Sequence, residues 1–189
     1  MMLLRRTVAA TVLPVTLGDA LDQLRTDGTS DGAYIQALIA SACDLIGEMT
    51  GRVLGIETWV ASCASVSGDF NLPKSPVLAV SSITYFDAND VQQPAIVGDF
   101  YLFASDDRSV LRPKSGKSWP STITREDAVS ITFTAGYEVL PPALRAAILL
   151  MVGHLYENRE AVVADGKPEA LPMGVEQLVG TYRLGWVAA

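Results

Sequence analysis

The sequence is poor in the residues that build metal and redox centres: among 189 residues there are two cysteines, Cys43 and Cys63, and one histidine, His154. That inventory excludes a zinc site made from Cys and His alone, and the cysteines lack the CxxC spacing of a redox motif. They read as small buried thiols, with a disulfide between them as the alternative. A basic excess is missing too, since 14 Lys and Arg stand against 21 Asp and Glu for a net charge of −7. Such a balance argues against gripping phosphate backbones through a basic face, though not against proximity to DNA. Long apolar runs are also absent. The stretch around Ala146 to Val152 falls far short of the roughly 20 residues that span a bilayer, so no membrane association is expected. The opening MMLLRRTVAATVLP imitates a signal peptide, but its apolar run, Val8 to Leu13, is short and interrupted by Thr11. It reads as a mature N-terminal arm over residues 1–15.

Catalytic signatures are equally scarce. Gly116-Lys117-Ser118 lacks the upstream glycine of a phosphate loop, and Trp119-Pro120 forbids the helix that must follow. His154 and Glu157 share a helix face, but no second histidine completes a metal set. Adjacent carboxylates such as Asp106 and Asp107 point to opposite sides of an extended chain and do not converge on one atom. No G-x-S-x-G elbow appears. Trp59, Tyr85, Phe86, Phe100, Tyr101 and Phe103 lack the interleaved basic residues of a base-stacking surface and read as sheet core. No catalytic residue, cofactor or metal is therefore expected, with a carboxylate enzyme in the strand-rich region as the competing class.

What is present is a globular composition, 49% apolar and 19% charged, at a length that suits one domain. Thr16 and Asp19 form a capping-box pair ahead of Leu17, Ala20, Leu21 and Leu24, a first helix that stops near Asp27-Gly28. A second follows Asp31 as N-cap, with Ile35, Leu38, Ile39, Ala42, Leu45, Ile46 and Met49 as its stripe and Gly51 at its C-terminal end. From residue 56 the period changes to two. Strands are predicted over Ile56 to Cys63, Val80 to Phe86, Phe100 to Ala104 and Val129 to Thr134, with a turn at Asp87 to Asp90 and a loop over Arg112 to Pro120. Pro142 at the first helical position opens a third helix, apolar on nearly all sides from Leu144 to Leu155. After a loop beyond Glu160, Val175, Leu178, Val179 and Tyr182 mark a short last helix ending before Gly185. The order implies α+β: a bundle of about four helices (16–52 and 141–184) with a β-sheet insertion (56–137) between the second and third long helices and a C-terminal tail over 185–189.

Several stretches taken together resemble phage head-tail connector (adaptor) proteins: LPVTL at 13–17, EMTGR at 48–52, ETW at 57–59, LPKSPVLAVSSITYFD at 72–87, ITFTAGY at 131–137, PPALRAAILLMVGHLYENRE at 141–160 and LPMGVEQLVGTYR at 171–183. They cover most of the chain. The most specific is 141–160 followed, after a short loop, by LPMGVEQL; residues 88–127 match only loosely. The resemblance implies a non-enzymatic structural protein of a virion or prophage, present in the host cytoplasm during assembly. It further implies a self-assembled ring of about a dozen copies, docked to a portal protein above and a tail-completion or stopper protein below. DNA passes through without specific binding, and no catalytic residues are carried over. A protein-interaction domain outside any virion is the alternative function.

Two segments are candidate contacts. Asp106, Asp107, Arg108, Lys114 and Lys117 lie in a weakly anchored stretch, Ser105 to Ser118, that either faces the channel or an adjacent ring or is an ordinary exposed hairpin tip. Tyr182, Arg183, Trp186 and Val187 belong to an aromatic-containing end, Tyr182 to Ala189, with no charged side chain beyond Arg183. It either docks on the portal or a neighbouring subunit or folds back on its own helices.

Overall fold

The computed structural model describes residues 2–27, 30–158 and 173–185. It is α+β, with four helices and two antiparallel sheets, in two compact units. Residues 2–11 and 55–138 form a β unit. Its strands are β1 (Met2–Val8), β2 (Glu57–Cys63), β3 (Phe70–Leu72), β4 (Val77–Phe86), β5 (Gln92–Ala95), β6 (Phe100–Ala104), β7 (Ser109–Pro113) and β8 (Val129–Ala135), with one 3₁₀ turn at Val97–Asp99. One sheet has the order β1-β2-β8-β4-β5 and the other β3-β7-β6, every pairing antiparallel.

The alternation read in the sequence sets the inner face. Val129, Ile131, Phe133 and Ala135 on β8 are buried while Ser130, Thr132 and Thr134 are half-buried, the pattern of a strand with one face on a core. Ala61 and Cys63 of β2 and Ile83 of β4 lie buried beside them. On the other face Ser62 and Ser130 stand opposite each other with their hydroxyls 2.8 Å apart.

Four strands escaped the sequence pattern, each for a physical reason. The segment expected to be an N-terminal arm is a strand, β1, paired with β2 from Met2↔Cys63 to Val8↔Thr58. All seven of its residues are exposed, so no buried face imposes alternation. β3 is three residues long, β5 contains Pro94, and β7 ends in Pro113. β7 also takes Arg112 and Pro113 from the predicted loop. The start of β4 was hidden because the register shifts between Val77 and Ala79 and again between Val80 and Ser82, which breaks the two-residue period.

Residues 12–54 and 139–185 form the helical unit, with α1 (Leu17–Leu24), α2 (Gly32–Thr50), α3 (Pro142–Glu157) and α4 (Met173–Gly180). The capping box on α1 is present: Thr16 Oγ1 accepts from Asp19 N at 3.2 Å and Asp19 Oδ2 accepts from Thr16 N at 3.1 Å. Arg25 closes the helix in the left-handed region. Asp31 precedes α2 without capping it through its side chain; its Oδ2 accepts instead from the Tyr156 hydroxyl at 2.8 Å. Gly51 ends α2 at φ 74°, a conformation that favours glycine. The core of this unit is Ile35, Ile39, Ala42 and Ile46 from α2, Leu144, Ala147, Ile148, Met151 and Val152 from α3, and Val175 and Val179 from α4, all buried. α3 packs with α1, α2 and α4, as its nearly all-round apolar surface predicts, and α2 also packs with all three other helices.

Candidate partner-contact surfaces

The C-terminal candidates divide at residue 185. Trp186 and Val187 lie outside the described residues, whereas Tyr182 and Arg183 lie just past the end of α4, after Thr181. The chain there is tied to the end of α2 by backbone and side chain alike. Leu184 N donates to Thr50 O at 2.9 Å with the Leu184 side chain buried. Arg52, itself buried, donates from Nε to Tyr182 O at 2.6 Å and stacks its guanidinium 5.6 Å from the Tyr182 ring centroid. A buried guanidinium needs such an acceptor and a polarizable face. Arg183 is exposed.

The five charged candidates do not share one loop. β7 runs through the middle of the segment and separates them. Asp106, Asp107 and Arg108 sit at the tip of the β6–β7 hairpin, closed by Ser105 N donating to Arg108 O at 2.9 Å. Lys114 and Lys117 sit beyond the far end of β7. Arg108 donates from Nε and Nη2 to Asn71 Oδ1 at 2.9 and 2.7 Å. Lys117 pairs with Asp99 at 3.1 Å, and Lys114 Nζ lies 5.0 Å from the Tyr101 ring centroid. Neighbouring ion pairs brace the same unit. Arg112 grips Asp69, from Nε to Oδ1 at 2.6 Å, and holds that carboxyl below the ordinary range. Arg125 bridges Asp127 and Asp90 at 2.6 and 2.7 Å with its guanidinium 3.7 Å from the Phe86 ring centroid, and it lowers Asp127 likewise.

The aromatics predicted as sheet core split between two faces. Phe100 is buried and stacks on Trp119 at 4.4 Å, while Tyr101 and Phe103, on the other face of β6, are each 51% exposed. Their rings are 5.9 Å apart, and Arg112 lies 5.3 Å from Phe103. Met2, Leu3, Leu4 and Val8 of β1 are exposed as well. Sequence reasoning missed both patches. The available signal was apolar side chains at consecutive positions, Leu3-Leu4 and Phe100 to Phe103, which places them on both faces of a strand.

His154 Nδ1 lies 3.2 Å from Asn158 Nδ2, next to the helix end that the same asparagine closes by donating from N to His154 O at 3.0 Å. Both cysteines are free, and burial raises both thiols, Cys43 to about 12. Among the described residues no group of three His, Cys, Asp or Glu is placed to hold a metal ion, and no helix is long and apolar enough to cross a membrane.

No family model matches the chain, and no curated protein matches it. Solved structures do. A chain in the neck of an empty gene transfer agent (GTA) particle, computed with C6 symmetry, is similar over 98% of this chain and 97% of its own, with a TM-score of 0.81 and 24% identity. A chain in the neck of the native particle, computed with C12 symmetry, gives 0.77 and 24% over the same shares. One in the virion of the native particle gives 0.78 and 23%. At this identity the likeness establishes the fold, which this chain shares along nearly its whole length with a chain from the neck of gene transfer agent particles.

Proposed function

We propose that this protein is a structural component of a phage-like virion: a head-tail adaptor that forms a ring beneath the portal, joins capsid to tail and continues the DNA channel. The observation that carries this reading is the fold shared over 98% of the chain with neck chains of particles computed with C6 and C12 symmetry. The sequence motifs of head-tail connectors support it independently. In this reading the two units act as one connector domain, with strands β2 to β8 lying in the chain between α2 and α3 and β1 joining them from ahead of α1. Portal, stopper and neighbouring copies are its partners.

Cyclic assembly needs one surface on each copy that fits a different surface on the next, and closure of the ring limits growth. A net charge of −7 on each copy suits a conduit, because DNA slides where few cations are offered for phosphate contact and counterion release. Many cations of the β unit are already engaged: Arg6 with Glu57, Arg112 with Asp69, Lys117 with Asp99 and Arg125 with Asp90 and Asp127. Measuring the mass of the protein alone and mixed with its portal tests the reading. Portal-dependent appearance of a ring supports it; a closed two-fold dimer indifferent to the portal overturns it.

A further inference from the structure

The two sheets have four outer edges, and the sequence treats them unequally. β5 is four residues long and contains Pro94, which lacks a backbone donor; β3 has only three residues. Short edges and proline blunt pairing with another chain. The other two edges carry no such protection. β1 offers seven residues without proline or glycine, all exposed, with Met2, Leu3, Leu4 and Val8 presenting apolar side chains. β6 offers five, Phe100 to Ala104, again without proline or glycine and with Tyr101 and Phe103 half in water. Each sheet thus has one short or proline-bearing edge and one longer edge rich in apolar side chains, β1 also carrying a register shift between Arg6 and Val8.

Resting on the ring reading above, we propose that β1 of one copy pairs edge to edge with β6 of the next, joining the five-stranded sheet of one subunit to the three-stranded sheet of its neighbour. Charge selects this partner over the alternatives. The charged residues of β1 are Arg5 and Arg6, and Arg6 is paired with Glu57; an antiparallel β1–β1 pair centred on the strand sets Arg5 of one copy opposite Arg5 of the other, and like charges directly opposite repel. β6 is uncharged and runs into Asp106-Asp107 at its hairpin tip, a favourable neighbour for arginines. The exposed Tyr101 and Phe103 rings share one face of β6, where Met2 and Leu4, which share one face of β1, would cover them, and aromatic-aliphatic cross-strand pairs stabilise a ladder. Backbone hydrogen bonds supply attraction and the side chains supply register, as in other strand additions. Because donor and acceptor are different strands, the contact propagates around a ring instead of closing as a dimer, and every copy has both open edges covered.

Hydrogen exchange on the full chain, free and assembled with its portal, tests the proposal. Amides within 2–8 and 100–104 that face outward should exchange at least tenfold more slowly in rings, since both edges become bonded. Leu3→Pro and Leu4→Pro provide the variant test, because adjacent residues of an edge strand send their N–H groups in opposite directions. One removes a bond to β2 and lowers the melting temperature; the other removes an outward donor and should keep the melting temperature while reducing ring yield at least tenfold. Rings whose β1 and β6 amides exchange as fast as in the free chain overturn the edge pairing and leave the ring standing. Slowing of β1 alone also overturns it, as does full assembly by both proline variants. A wild-type chain that forms no ring with the portal removes the ring reading and this inference together.

Discussion

Gly136 follows β8 and adopts φ +131°, where its N donates to Pro76 O at 2.9 Å. A methyl group built on its Cα lies 2.0 Å from Gly55 O, 2.6 Å from Gly55 C and 2.9 Å from Ile56 Cα. All three are backbone atoms, so no rotamer change relieves the clash, and alanine at Gly136 forces the two strand ends apart. Adding the strain of the positive φ to the overpacking gives a cost of about 3–5 kcal/mol. At this chain length each kcal/mol lowers the melting temperature by roughly 2–4 °C, so Gly136→Ala should fall by about 6–20 °C. Two controls separate crowding from backbone strain and from a general intolerance of alanine. Gly116 has φ +75° and nothing within 4 Å of a built Cβ, so Gly116→Ala bears strain alone and should cost about 1 kcal/mol. Gly153 lies inside α3 with nothing within 4 Å, and Gly153→Ala should gain about 0.5–1 kcal/mol from helix propensity. Thermal unfolding followed by circular dichroism ranks the three. A Gly136→Ala protein that melts within about 2 °C of the wild type refutes the close approach.

Further outcomes follow from the same geometry. Thr16→Ala removes the α1 cap and should cost about 1 kcal/mol in denaturant unfolding. Ile148→Ala, in the centre of the helical unit, should cost about 2–5 kcal/mol, again by denaturant titration. Asp19, Asp69, Asp87 and Asp127 all have carboxyls held below the ordinary value of 3.8. Their stabilisation is therefore complete above that value and is lost as pH falls through the depressed folded values. In Asp87→Asn, which keeps an oxygen for the Val91 and Asn89 amides but removes the titrating carboxylate, melting temperature measured against pH should show a shallower acid limb. With its thiol raised to about 12 by burial, Cys43 should resist alkylation at pH 8 in the folded chain and react on denaturation.

Helix starts and the central strands were legible because one buried face leaves a period in the sequence: the Thr16–Asp19 box and the Val129 to Thr134 alternation appear where the pattern puts them, and the α2 stripe is buried at Ile35, Ile39, Ala42 and Ile46 while its Leu45 is exposed. What was illegible lacks a buried face or is too short. β1 is exposed on all seven residues, β3 and β5 have three and four, and the shifts in β4 interrupt its alternation. The same cause misdirected the aromatics. Phe100, Tyr101 and Phe103 look alike in composition, yet position parity on β6 buries Phe100 and exposes the other two. The charged stretch 105–118 was read as one loop because β7 is brief and ends in proline, so its charges belong to two separate ends of a strand. Glycines carry the clearest local message: the TAGY motif holds Gly136 where a side chain would strike the backbone of Gly55.

Electron cryomicroscopy of the particle that carries this protein tests the central claim most directly. The account expects a closed ring of this chain in the neck, between portal and tail, with one copy per symmetry-related position around an open channel. Purified tailed particles that lack the chain, or that hold it anywhere other than the neck, contradict it.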